Sequence, residues 1–189
     1  MRRIATVFCC LASLIFFFSC TSSRKSRNSF VPFNKELKQK LEKDNIDLKQ
    51  VQFYVDQKLL LSRNMGDQKT EVHAGVVKLE NGKYINEVII PAFTPGICDT
   101  ILNDRLMISF EKGNNDLAFG QGSGTTFSNY VLYGSEWKNG TAAVTFDSNK
   151  FRARCETCAD VATATLVVRK SEIDKFERKI RTLKGRKVD

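Results

Sequence analysis

A mainly β fold is what this sequence predicts: an antiparallel β-sandwich or barrel of about eight strands, with a short N-terminal helix and a C-terminal amphipathic helix. From residue 51 onward, apolar residues recur at every second place, the period of a half-buried strand. Asn81-Gly82, Asn139-Gly140 and Asp147-Ser148-Asn149 fall between such runs. Those residue types tolerate the positive φ of tight hairpin turns. The runs are short and show no repeat of fixed period, as in sandwiches and barrels and unlike solenoids.

Residues 34–44 read as a helix, with Asn34 suited to cap it and Leu37 and Leu41 four apart on one face. Val51, Phe53 and Val55 then alternate with Gln52, Tyr54 and Asp56. Leu59-Leu60-Leu61 continues that strand past a bend or starts another. Residues 71–80 and 83–90 flank Asn81-Gly82 as a hairpin, with Val72, Val77, Leu79, Ile85, Val88 and Ile89 as candidate buried positions. Pro91, Pro95 and Gly96 interrupt the pattern around Phe93. In 105–110, Leu106, Ile108 and Phe110 share one face, whereas the Gly-, Asn- and Ser-rich residues 112–128 read as a loop. Residues 130–133, 142–146, 150–155 and 162–168 supply the remaining strands. The C-terminal helix is expected from Ser171 as cap, with Asp174 three residues on. Ile173, Phe176, Ile180 and Leu183 form its apolar stripe and Gly185 its stop. A strand over part of 176–188 is the alternative.

The N-terminus has a different character. Arg2 and Arg3 precede an uncharged apolar run from residue 4 to 18. That run is shorter than the roughly 20 residues of a spanning helix and suits a signal peptide. Phe17-Phe18-Ser19-Cys20 ends it, and a polar stretch without acidic residues follows. This pattern resembles the precursors of bacterial lipoproteins processed by type II signal peptidase, with Phe17 and Phe18 departing from the family's preferred Leu and smaller residue. The resemblance implies cleavage before Cys20 and lipid, palmitate included, on that cysteine. It divides the chain into a signal peptide (1–19), a lipidated flexible tether (20–31) and one β-rich domain (32–189). Two or more acyl chains hold a protein firmly on a bilayer, where one holds only marginally. Thr21 occupies the place where Asp favours inner-membrane retention in enterobacterial lipoproteins, so the resemblance implies the outer membrane. The acid-free stretch behind it favours the periplasmic face.

Loss of residues 1–19 leaves 28 basic and 21 acidic side chains, a net charge near +7. A basic exported protein meets anionic head groups, an envelope polysaccharide or an envelope protein rather than nucleic acid. Export also permits disulfides. With Cys20 lipidated, Cys98, Cys155 and Cys158 remain, an odd set that cannot pair completely within one chain.

Cys155-Glu156-Thr157-Cys158 is the motif with the most chemistry. Two thiols three apart can form a structural disulfide, cycle redox or share a metal. Without a second such pair, and with His73 the only histidine, the expectation is a disulfide, either Cys155–Cys158 or a bridge from Cys98 to one of them. No metal and no cofactor is expected. Gly120-Gln-Gly122-Ser-Gly124-Thr-Thr126 lacks the Lys-Ser/Thr of a phosphate loop and reads as a flexible loop. His73, on an apparent strand, reads as a sheet residue rather than a catalytic base. Lys175, Arg178, Lys179, Arg181 and Lys184 form a basic cluster that would suit an anionic surface or a helix's solvated face. Trp137, with Tyr130 and Tyr133 nearby, suits a core or a carbohydrate-stacking platform. Asp99-Thr100-Ile101 is similar to the Asp-Thr/Ser-apolar acceptor of a bacterial O-glycosylation system. The expectation is a lipid-anchored, non-catalytic binding or structural module. An envelope enzyme or thiol-redox protein using Cys155 and Cys158, or an accessory subunit of an envelope complex, are the alternatives.

Overall fold

The computed structural model describes residues 29–66, 75–113, 115–122 and 128–181. A first strand β1 (Phe30–Pro32) leads into helix α1 (Lys35–Lys43). A 3-10 turn (Leu48–Gln50) precedes β2 (Phe53–Val55) and β3 (Leu59–Asn64). The hairpin β4 (Val76–Glu80) and β5 (Lys83–Ile90) comes next, then β6 (Pro95–Ile101), β7 (Arg105–Ser109) and β8 (Asp116–Gln121). They are followed by β9 (Tyr130–Leu132), β10 (Ser135–Lys138), β11 (Thr141–Phe146) and β12 (Asn149–Cys155). A second 3-10 turn (Val161–Thr163), β13 (Leu166–Arg169) and α2 (Lys170–Arg181) complete the described chain.

Among the described residues the strands form two antiparallel sheets. One has seven strands in the order β1-β13-β2-β6-β7-β8-β9, and the other six in the order β10-β11-β12-β3-β5-β4. The fold is thus the mainly β sandwich the sequence predicts, with more strands than the expected eight. The seven-stranded sheet also curls until its ends meet. The Tyr130 N–H donates to the Phe33 carbonyl at 2.8 Å, and the Leu132 N–H to the Ala164 carbonyl at 3.0 Å. Val131 bridges Thr165 in the same antiparallel sense. On its other side β9 pairs with β8, Phe119 opposite Leu132. Strand β9 therefore has hydrogen-bond partners along both sides, and the usual hazard of an open edge is removed there.

One core joins the two sheets. Phe53, Leu106, Ile108, Leu117 and Phe119 meet Leu59, Leu61, Val144, Phe146 and Ala153 in a single buried cluster. Helix α1 contributes Leu41, and Ile173 and Phe176 of α2 pack against the same cluster from its margin. Asn34 caps α1 as expected, its side chain accepting from the Leu37 N–H at 2.8 Å. Asn81-Gly82 and Asp147-Ser148 form their turns with positive φ at both residues, the backbone that matches strand twist.

Several expectations are corrected. Phe30 and Val31, assigned to the tether, belong to β1, where Phe30 meets Tyr54 edge to face, stacks with Phe93 and packs with Val167 in a small cluster of its own. Residues 95–101 form β6 despite their Pro and Gly. Pro95 stands at the strand's first position, where a missing donor is tolerated. A Cβ at Gly96 would come within 2.7 Å of Ile108 Cγ2 and 2.9 Å of the Phe110 ring, so only glycine fits. Residues 116–121 form β8 rather than loop, because Leu117 and Phe119 alternate into the core between small neighbours. β10 is a further strand without a sequence signal; all four of its residues are exposed. In β5 the buried residues are Asn86, Val88 and Ile90, while Ile89 and, on β4, Leu79 are exposed. Residues 161–163 form a 3-10 turn rather than strand. Helix α2 begins at Lys170, one residue before its expected cap Ser171, and remains helical through Arg181. Val72, His73, Leu183 and Gly185 lie outside the described residues.

Candidate binding groove

The residues singled out for chemistry are distributed over four places. Cys155 and Cys158 are joined by a disulfide with a Cα–Cα distance of 5.4 Å, directly after β12. Cys98 is free and buried on β6. Burial pushes its thiol up to about 11, aided by Asp99, Asp47 and Asp116 and opposed by Lys49. The bridge from Cys98 to either partner is therefore not formed, since it faces the core from the other sheet. Lys175 and Arg178 are exposed on α2, the Arg178 Nε–H donating to the Asp174 carbonyl at 3.2 Å. Lys179 and Arg181 fall on the same helix, and Lys184 lies outside the described residues. Phe17, Phe18, Ser19 and Cys20 also lie outside them. Among the described residues no helix is long and apolar enough to cross a membrane, and no group of three His, Cys, Asp or Glu side chains could hold a metal.

The Asp99-Thr100-Ile101 segment lies on β6, with Thr100 exposed and Asp99 half-buried at a register shift against β7. Burial, then the hydrogen bond and charge of Asp99, raise the Asp116 carboxyl above the usual carboxylate range, while a hydrogen bond with Ser109 opposes them. A cleft of about 460 Å³ beside this pair is lined by Asp99, Glu111 and Gln52.

A larger cavity, about 710 Å³, lies over β9. It brings together Tyr133, Trp137 and Gly120-Gln121-Gly122, which lie in separate stretches of the sequence. Val131, Leu132 and Tyr133 line it, with Gly120 near the end of β8 and Gly122 just after it. Trp137 enters from β10, and Asp160, Ala162, Thr163 and Thr165 supply the side formed by the second 3-10 turn. Gln121 and Asn129 complete the polar lining. The glycines act here as surface, not as a phosphate loop. A Cβ at Gly120 would stand 3.0 Å from Tyr133 Cδ2, so the missing side chain gives the tyrosine ring its seat.

The three aromatics expected to cluster separate by exposure. Tyr130 is 1% exposed and packs on Phe33 with a centroid distance of 5.1 Å, so it is core. Tyr133 and Trp137 are 42% and 46% exposed and both face the cavity. The Arg105 guanidinium lies 4.0 Å from the Tyr133 ring centroid and is itself held by Asp104 through two hydrogen bonds of 2.9 Å. Such a stack orients the ring and limits its rotamers.

The wall opposite β8 is tied down by several independent contacts. The Asp160 side chain accepts from the Ala162 N–H at 2.8 Å, capping the 3-10 turn, and the Thr163 hydroxyl donates to the Asp160 carbonyl at 2.7 Å. The Val161 N–H donates to the Gly140 carbonyl at 2.9 Å, linking this wall to the β10–β11 turn beside Trp137. The disulfide precedes it by two residues, with Cys158 Sγ 3.2 Å from the Asp160 carbonyl. A groove of this size, with two exposed aromatics and a few amides and hydroxyls on a rigid scaffold, has the make-up of a ligand site. No protein-family model, no curated protein and no solved structure matches the chain.

Proposed function

We propose that this protein is a lipid-anchored envelope module that binds its ligand in the groove over β9. The observation that carries the binding role is the groove itself, a cavity of about 710 Å³ in which the half-exposed Trp137 and Tyr133 meet polar side chains. The anchor rests on the Phe17-Phe18-Ser19-Cys20 pattern after an apolar run. The attachment reading places the domain at the periplasmic face of an outer membrane, next to envelope polysaccharide and protein.

Metabolic labelling with palmitate, followed by membrane fractionation, tests the anchor. The wild-type chain should take up label and sediment with membranes, and Cys20→Ala should do neither. A Cys20→Ala protein that stays membrane-bound after carbonate washing would overturn it. The binding role is tested separately on the soluble domain, through the groove residues.

A further inference from the structure

We infer that the groove over β9 takes a neutral saccharide, with Trp137 as its stacking surface. This rests on the binding reading above and names its ligand class. A sugar ring offers an apolar C–H face and a rim of hydroxyls, and the groove offers the complement of both. The indole of Trp137 supplies flat apolar surface, while Tyr133, its ring covered by the Arg105 guanidinium, adds a phenol hydroxyl at the groove wall. Asn129 brings an amide that can both donate and accept. The hydroxyls of Thr163 and Thr165 spend their protons on the Asp160 and Thr163 carbonyls, so their oxygens are available to accept from sugar hydroxyls.

Charge selects against acidic ligands. Asp160 lines the groove, and no Lys or Arg does so among the described residues. The nearby Arg105 is engaged by Asp104 and by the Tyr133 ring. An extended peptide is disfavoured for a different reason. Strand addition needs an unpaired ladder, and β9 is bonded to β8 on one side and to Phe33 and Ala164 on the other. The binding face is therefore made of side chains over a closed sheet. The lining includes residues from Asn129, just before β9, to Gly134, just after it, a span of about 17 Å for an extended chain, long enough for an extended oligosaccharide.

Trp137 is the only tryptophan of the chain, so its emission reports the groove directly. The soluble domain from residue 20, with Cys20→Ser, should be screened on an array of neutral and acidic glycans. Hits are then titrated by tryptophan fluorescence. A neutral oligosaccharide should shift the emission saturably, and Trp137→Ala should weaken its retention on the array at least tenfold. Gly122→Leu provides a second variant that leaves Trp137 in place. A Cβ there makes only ordinary contacts, the nearest 3.5 Å from Val131, so the longer side chain should occupy groove space without unfolding the domain. It should also weaken binding at least tenfold, with an unchanged melting temperature. Absence of any neutral glycan among the hits overturns the saccharide assignment. A polyuronate or a peptide that shifts Trp137 emission overturns the ligand class yet leaves the groove as a binding site. Glycan binding that survives both variants overturns the groove itself and the binding role placed there.

Discussion

The two Asn-Gly turns of this fold form a matched pair that isolates one contact. Gly82 has φ +75° and Gly140 φ +70°, and each follows an Asn with φ 50°. A Cβ at Gly82 would meet nothing within 4 Å. At Gly140 it would run into the Ala159 carbonyl oxygen, with the carbonyl carbon at 3.2 Å and Asp160 Cα at 3.3 Å. Gly82→Ala should therefore cost about 1–2 kcal/mol, the left-handed backbone alone. Gly140→Ala carries the same conformational cost and a further ~1–3 kcal/mol, because backbone rather than a flexible side chain has to move. For a domain of this size each kcal/mol lowers Tm by about 2–4 °C, so the two variants should be separable by thermal and urea denaturation. Trp137 adds a local readout. Moving the loop at 159–160 disturbs the Val161–Gly140 hydrogen bond and the groove wall, so Gly140→Ala should change Trp137 emission in the folded state and Gly82→Ala should not. Equal destabilisation by the two substitutions, with unchanged emission in both, would refute the view that the β10–β11 turn holds that wall.

The disulfide closes a short loop, sequence separation 3, so Cys155→Ser with Cys158→Ser should destabilise by about 2 kcal/mol in urea melts. Cys98 should resist alkylation in the folded protein at mildly alkaline pH and react once the chain is unfolded, because its buried thiol stays protonated to about 11; mass spectrometry counts the adducts. A raised Asp116 carboxyl means that the folded state holds this proton more tightly than the unfolded state does. Its contribution to stability is full below the ordinary carboxylate range and is lost as pH rises through the raised value. Asp116→Asn should abolish that component of the pH dependence and leave the domain more stable than wild type at neutral pH, as read from urea midpoints. Phe119→Ala, which empties a fully buried core position, should cost about 3–5 kcal/mol and test how far one core supports both sheets.

Local signals made much of this fold legible. Alternation placed the strands at 53–55, 83–90, 105–109, 141–146 and 149–155, and turn chemistry placed the hairpins between them. Residues 95–101 were masked by Pro95 and Gly96, whose presence is explained by packing on Ile108 and Phe110 from the neighbouring strand. Residues 116–121 were masked by a glycine-rich context, though Leu117 and Phe119 stand two apart. β10 had no signal to find, since its residues are exposed on both faces and one of them, Glu136, has φ 50°. The candidate site was visible in parts. Trp137 and Tyr133 read as core or as a carbohydrate-stacking platform and Gly120-Gln-Gly122 as a loop, with no local signal that they share one groove.

Strand period, turn type and the Asn34 cap depend on residues close in the chain, so the sequence by itself determined them, whereas the structure chose Cys155–Cys158 over a bridge from Cys98. The sequence also determined the apolar run and the Cys20 motif on which the proposed anchor rests. Only the tertiary structure decided that β9 closes the seven-stranded sheet against Phe33 and Ala164, because those partners lie far away along the chain. The same closure decides which aromatics are buried. Tyr130 and Leu132 point into the core, while Tyr133, one step beyond, lies on the outer face over Gly120. Alternation says that neighbouring side chains in a strand face opposite ways; which way is covered is settled by the sheet packed against it.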